Sequence, residues 1–160
     1  MGEHALDWRL ASDVDLVAHL LSRYHAVHRR QLPDLVDLAR RVELVHVEHA
    51  ECPHGLAEHL SAMAQKLESH MRKEEVVLFP MLLGGRNVSA RMPIGVMRSE
   101  HAQHGEDLRR TAVLCHDGVL PADACASWKS LYEGLDTFCR DLQAHIGLEN
   151  DILFARHERA

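Results

Sequence analysis

One arrangement of histidine and glutamate occurs twice in this 160-residue chain, and it constrains the fold more than any other feature. His25-Ala-Val-His28 is echoed by His101-Ala-Gln-His104. His70-Met-Arg-Lys-Glu74-x-x-x-Leu78-Phe79 is echoed by His145-Ile-Gly-Leu-Glu149-x-x-x-Leu153-Phe154, at nearly the same distance from its partner motif. The chain therefore reads as two similar helical hairpins. Each carries histidine on its first helix and His-x-x-x-Glu on its second.

Hydrophobic periodicity agrees. Val14, Leu16, Val17, Leu20, Leu21, Tyr24 and Val27 follow 3–4 spacing, with Ser12 and Asp13 as N-cap candidates. Leu35, Val36, Leu38, Ala39, Val42 and Val45 continue that period beyond Pro33, a residue able to kink or break the helix. Cys52-Pro53-His54-Gly55 reads as a turn, and a second helix from Leu56 to Leu83 closes at Gly84-Gly85. Pro93 fits the first turn of a third helix that runs to about Cys115. Gly118 and Pro121 mark the next turn, and the last helix covers about Ala122 to His157. No alternating strand pattern of useful length occurs. The expected fold is all-α, an up-down-up-down four-helix bundle. It forms one domain over residues 1–160 with an ordered core at about 12–157.

Composition narrows the function. Apolar residues make up 46% and charged residues 26%, which suits a packed domain. The net charge of −6 argues against nucleic acid or an anionic membrane surface as partner. No apolar run reaches the roughly 18 residues of a membrane span. Met1 to Leu10 carries Glu3, His4, Asp7 and Arg9, unlike a secretory signal, so a cytoplasmic location is expected. Cys52, Cys115, Cys125 and Cys139 form no C-x-x-C pair and read as reduced, small core-filling thiols. Histidine is the abnormal residue, at 14 copies.

His and Glu at i, i+4 share one helical face. In an antiparallel hairpin, residues equidistant from the turn lie at one height. The midpoints between 25 and 70, 70 and 101, and 101 and 145 fall beside the turns at Cys52-Pro53, Gly84-Gly85 and Pro121. His25, His70, His101 and His145 can thus occupy one layer, with Glu74 and Glu149 one turn along. Left unpaired inside an aliphatic bundle, four imidazoles and two carboxylates would be costly. A pair of metal ions satisfies them all. Four nitrogen ligands, two bridging carboxylates and an oxo or hydroxo bridge suit two iron ions, each keeping a position for a small molecule. No cysteine joins the set, which disfavours structural zinc.

The remaining histidines fit less well. His46 lies about 31 Å along a continuous helix from His25, beside the turn, which keeps it out of the layer. His28 and His104 sit one turn from the predicted ligands, as outer partners or facing solvent. His19, His49, His54, His59, His116 and His157 are expected to be exposed. Glu75 and Glu100 point about 100° away from the ligands beside them, as solvated surface or as part of a proton or ion path.

An ordered set of short stretches begins with Arg23-Tyr24-His25, His28-Arg29, Gln31-Leu32-Pro33, Val42-Glu43 and Val45-His46. It continues with Ser69-His70-Met71, Lys73-Glu74-Glu75, Leu78-Phe79-Pro80-Met81, Pro93-Ile94, Val96-Met97 and Ser99-Glu100-His101. Trp128-Lys129, Asp141-Leu142, His145 and Leu148-Glu149-Asn150 complete the set, which spans about residues 14–154. In these stretches the chain resembles hemerythrin-like (HHE cation-binding) domains, and most closely the C-terminal domain of the di-iron Repair of Iron Centers (RIC/YtfE/ScdA) family. The resemblance implies a non-haem, oxo-bridged di-iron centre held by His25, His70, Glu74, His101, His145 and Glu149. It implies a role in restoring iron–sulfur clusters damaged by nitric oxide or oxidants, through nitric oxide binding, reduction or release, or through iron donation. Damaged iron–sulfur proteins and nitric oxide or dioxygen would be the partners. The family usually carries an N-terminal domain with an adjacent cysteine pair. It has no counterpart here, so a function requiring that pair is not expected of these residues.

Two other functions compete. A dioxygen-binding or sensing hemerythrin usually offers two histidines at i, i+4 on its third helix, whereas His101 and His104 are at i, i+3 and position 105 is Gly105. Iron storage or sensing would show reversible iron loss without redox turnover.

Overall fold

The computed structural model describes residues 6–159; Glu3 and His4 of the N-terminal segment lie outside the described residues. The described residues fold as four long helices. Helix α1 covers residues 13–45, α2 residues 56–83, α3 Asn87–Leu114 and α4 residues 126–158. They run alternately up and down, and α1 packs on both α2 and α4. No strand occurs among the described residues.

Ser12 caps α1 by accepting from the Asp15 backbone N–H at 3.1 Å, and Asp13 and Asp15 lie in its positive first turn. Pro33 does not break this helix. An interior proline costs ~3 kcal/mol. Its neighbours Leu32, Leu35 and Val36 are buried, and each such side chain contributes ~1.5–3 kcal/mol. Packing therefore outweighs the proline. The same holds on α3, which begins at Asn87, six residues before Pro93, anchored by fully buried Ala90. Helix α4 starts four residues later than expected, because Cys125 is its N-cap. At the turn before α2, Gly55 has φ +86, a left-handed conformation that glycine adopts without strain. The Glu43 carboxylate accepts from the backbone N–H groups of Gly55 at 2.6 Å and Ala57 at 2.9 Å, stabilising the start of α2.

Two apolar clusters fill the bundle. One gathers Leu32, Leu35, Leu60, Met63, Trp128, Leu131, Phe138 and their neighbours. The other gathers Leu16, Leu20, Tyr24, Leu78, Phe79, Ile94, Met97, Leu153 and Phe154. Every helix passes from one cluster to the other, and the repeated His and Glu residues lie at each crossing. The polar layer is thus sealed above and below. Helices α1 and α4 approach closely at Gly134, where a Cβ would stand 2.8 Å from Leu35 Cδ2.

Candidate metal centre

Three of the four helices widen into a π-helical turn at the polar layer. These turns are Leu20–His25, Glu74–Leu78 and Glu149–Phe154. The first ends on His25, and the other two begin on Glu74 and Glu149. Such turns occur often at functional sites. Nothing in the composition of these segments marks them beforehand.

The structure brings together the six residues singled out by spacing, and it divides them into two quartets. His25, Glu74, His145 and Glu149 form one; His70, Glu74, His101 and Glu149 form the other. Within each quartet one ligand-type atom of every residue lies within 4.8 Å of the others, and all six residues are buried. Glu74 Oε1 is 3.3 Å from His25 Nε2 and 3.2 Å from His70 Nε2, so one oxygen faces both quartets. Glu149 Oε1 is 2.9 Å from His101 Nε2, and its Oε2 is 3.3 Å from His145 Nε2. Each carboxylate is shared, and each histidine belongs to one quartet.

The other ring nitrogen of each histidine is held from outside. His25 Nδ1 donates to Glu75 Oε2 at 2.7 Å, His70 Nδ1 to Glu100 Oε1 at 3.1 Å, and His101 Nδ1 to Asn150 Oδ1 at 2.7 Å. His145 Nδ1 lies 3.1 Å from His28 Nε2. Arg29 bonds both oxygens of Glu75, and Lys73 bonds Glu100. With the proton on Nδ1, every Nε2 turns a lone pair into the layer. His70 Nε2 and His101 Nε2 face each other at 3.1 Å, lone pair against lone pair. His25 Nε2, His145 Nε2 and all four carboxylate oxygens of Glu74 and Glu149 are buried without a hydrogen-bond partner. So many orphaned acceptors around one point fit cations of nitrogen and oxygen preference. Fixing one nitrogen to orient the other is the usual support of a metal-binding histidine.

The electrostatics lead the same way. Burial, reinforced by the charge of His145, lowers the pKa of His25 to about 4, so its imidazole is neutral and its lone pair free. Burial foremost, then the charge of Glu149, lift Glu74 well above the usual carboxylate range. Burial also works upward on Glu149, but charge on His145 first, then hydrogen bonds from the surrounding imidazoles, outweigh it and hold that carboxyl low; these act only while the rings carry an Nε2 proton and no cation stands in its place. Aromatic rings brace the layer: Phe79 stacks on His25 and Phe154 on His101, each with centroids 5.8 Å apart. The equivalence of these two phenylalanines follows the repeat.

The remaining expectations meet mixed outcomes. His28 and His104 are both buried, as outer neighbours of the layer; His104 Nδ1 has no partner. Glu75 and Glu100 are half-buried partners of predicted ligands and not freely solvated surface. His46 lies at the far end of the bundle, its Nε2 3.1 Å from Cys125 Sγ and its ring against Trp128. His157 is buried and not exposed, clamped between Asp13 Oδ2 at 2.7 Å and Asn87. His19 stacks on Trp8, His49 bonds Asp123, and His59 bonds Thr111, so these three are half-buried; His54 and His116 are exposed as expected. The four cysteines are free, with Cys52 and Cys115 buried.

A cavity of about 540 Å³ between α3 and α4 reaches His101, walled by Leu108, Tyr132, Leu135, Cys139 and Ile146 among others. Among the described residues no helix is long and apolar enough to cross a membrane.

Residues 16–156 match the family model of the hemerythrin HHE cation-binding domain. The chain belongs to that family. Its membership accounts for the four-helix architecture and for a cation-binding layer inside it. An iron–sulfur cluster repair protein YtfE of Pectobacterium carotovorum is 46% identical over 152 residues, covering 95% of this chain and 69% of the relative. A probable iron–sulfur cluster repair protein of Haemophilus influenzae is 44% identical over 150 residues, covering 94% of this chain and 67% of the relative. YtfE of Escherichia coli O157:H7 is 43% identical, covering 94% of this chain and 68% of the relative.

Proposed function

We propose that this HHE domain holds two iron ions and acts in iron–sulfur cluster repair under nitric oxide or oxidative stress. The observation that carries the reading is the pair of quartets sharing Glu74 and Glu149. His25 and His145 would hold one ion and His70 and His101 the other, with both carboxylates common to the two. An iron pair supplies one-electron redox change and open positions for small molecules.

The chain's own residues do the rest. Glu75, Glu100, Asn150 and His28 keep the Nδ1 protons outward and the lone pairs inward. The two apolar clusters keep bulk water from the layer. The cavity beside His101 offers a mostly apolar approach suited to a small uncharged molecule such as nitric oxide. The names of the relatives support damaged iron–sulfur proteins as the target. His104 stands outside both quartets, which leaves two histidines on each side and favours repair over dioxygen carriage.

The test is reactivation of a nitric-oxide-inactivated iron–sulfur enzyme by the iron-loaded protein, with nitric oxide uptake followed by electrode. Reactivation by the wild type and its loss in Glu74→Leu/Glu149→Leu would support the reading. Equal reactivation by the double variant, or a stable reversible dioxygen complex without repair, would refute it.

A further inference from the structure

Three of the four layer histidines are held by one outer partner each, but His145 stands at the end of a chain. His145 Nδ1 meets His28 Nε2 at 3.1 Å, and His28 Nδ1 meets Gln31 Oε1 at 3.3 Å. Gln31 Nε2 donates to Asp141 Oδ2 at 2.9 Å, and Arg23 donates to Asp141 Oδ1 at 2.9 Å. Asp141 lies one turn before His145 on α4, and Arg23, His28 and Gln31 all come from α1.

The direction of this chain is forced from its outer end. Bonds from Arg23 and Gln31 outweigh the burial of Asp141 and keep its carboxyl below its ordinary range, so it is an acceptor only. Gln31 must then turn its amide N–H to Asp141 and its carbonyl to His28; the flipped amide would set oxygen against carboxylate. His28 therefore carries its proton on Nδ1 and offers a bare Nε2. That nitrogen accepts from His145 Nδ1, which leaves the His145 Nε2 lone pair aimed at the layer, 3.3 Å from Glu149 Oε2. His28 is fully buried with the Phe138 ring edge-on at 5.5 Å, so it cannot turn to solvent. Its counterpart in the repeat, His104, plays no such part: Glu100 holds His70 Nδ1 in its place, and His104 Nδ1 has no partner. The chain serves one quartet alone.

We propose that Asp141 is a positioning residue for the His25–His145 quartet: acting through Gln31 and His28, it sets the tautomer and aim of His145 and makes the two metal positions unequal. This rests on the metal reading above. Outer partners of metal-binding histidines typically change metal affinity about 10- to 100-fold when removed.

The experiment combines chelator challenge of the iron-loaded protein with nitrogen NMR of the metal-free protein. In Asp141→Ala, one of the two ions should leave up to about 10-fold faster than in the wild type, the low end of the range for a direct partner, the other at the wild-type rate. Gln31→Leu should do the same, which covers the case in which Asp141→Ala fails to fold. His46→Ala, a change at the far end of the bundle, should release both ions as the wild type does. Asp141→Asn should rescue most of the effect, since its carbonyl can still accept from Gln31. The spectra should show His28 as the Nδ1–H tautomer in the wild type and a mixture in Asp141→Ala. A wild-type His28 with its proton on Nε2, or release from Asp141→Ala and Gln31→Leu at the wild-type rate, would overturn the inference. Wild-type protein that bound no metal would refute the metal reading itself, and the tautomer measurement, made without metal, tells that failure apart.

Discussion

Replacing Glu74 by glutamine should stabilise the metal-free protein while destroying its metal site. Ligand atoms of Glu74 and Glu149 lie within 4.8 Å of each other, both fully buried. Two unit charges at that distance repel by ~3 kcal/mol at an effective dielectric constant of 20. Protonating one carboxyl of ordinary pKa at pH 7 costs about 4 kcal/mol instead. The two costs are close, so the metal-free layer carries roughly 3–4 kcal/mol of strain near neutrality by either route. Glu74 is the group displaced upward. Its contribution to stability is complete below its unfolded value of about 4.3 and is lost as pH rises through the raised folded value. Glu149 is displaced downward, and its contribution fades only as pH falls through a value below that window. Glutamine at position 74 removes the charge, cannot titrate, and can donate to Glu149. Thermal unfolding of chelator-treated protein between pH 5 and 8 tests this. The advantage of the Glu74→Gln variant should be smallest near pH 5 and grow to about 3 kcal/mol at pH 8, or some 6–12 °C in Tm for a chain of this size. Parallel pH profiles, or a variant less stable at pH 8, would refute the reasoning.

Three further outcomes follow from the geometry. Glu43→Ala leaves two backbone N–H groups at the start of α2 without their acceptor and should cost about 1 kcal/mol by denaturant unfolding, with metal content unchanged. Gly134→Ala puts a methyl 2.8 Å from Leu35 Cδ2; repacking Leu35 costs about 1–3 kcal/mol against about 1 kcal/mol of helix propensity gained, so the net loss should be up to about 2 kcal/mol, read as a lower denaturation midpoint. His46→Ala should leave metal content at the wild-type level, because His46 contacts Cys125 and Trp128 far from the layer.

The duplicated motif made the layer legible. Helical period and turn signals placed its four histidines at one height, and Glu74 and Glu149 followed from i, i+4 spacing. Proline was overrated as punctuation: Pro33, read as able to kink or break its helix, and Pro93, read as marking a first turn, both sit inside helices held by buried neighbours, and a local rule does not weigh those neighbours. The π turns were invisible because their extra residue changes the path of the backbone and not its composition. The angle of Glu75 and Glu100 on their own helices left solvated surface and a proton or ion path both open, because the partners that hold them belong to α1 and α2. His157 was misread for the same reason: Asp13 and Asn87 reach it from the starts of two other helices.

The most direct test of the account is iron stoichiometry after anaerobic reconstitution, measured on the wild type, His25→Ala, His70→Ala and Glu74→Leu/Glu149→Leu. Each histidine belongs to one quartet and both carboxylates belong to two. The wild type should hold about two irons per chain, each histidine variant about one, and the double variant almost none. Two irons retained after loss of both Glu74 and Glu149, or zinc as the metal carried by the native protein, would contradict it.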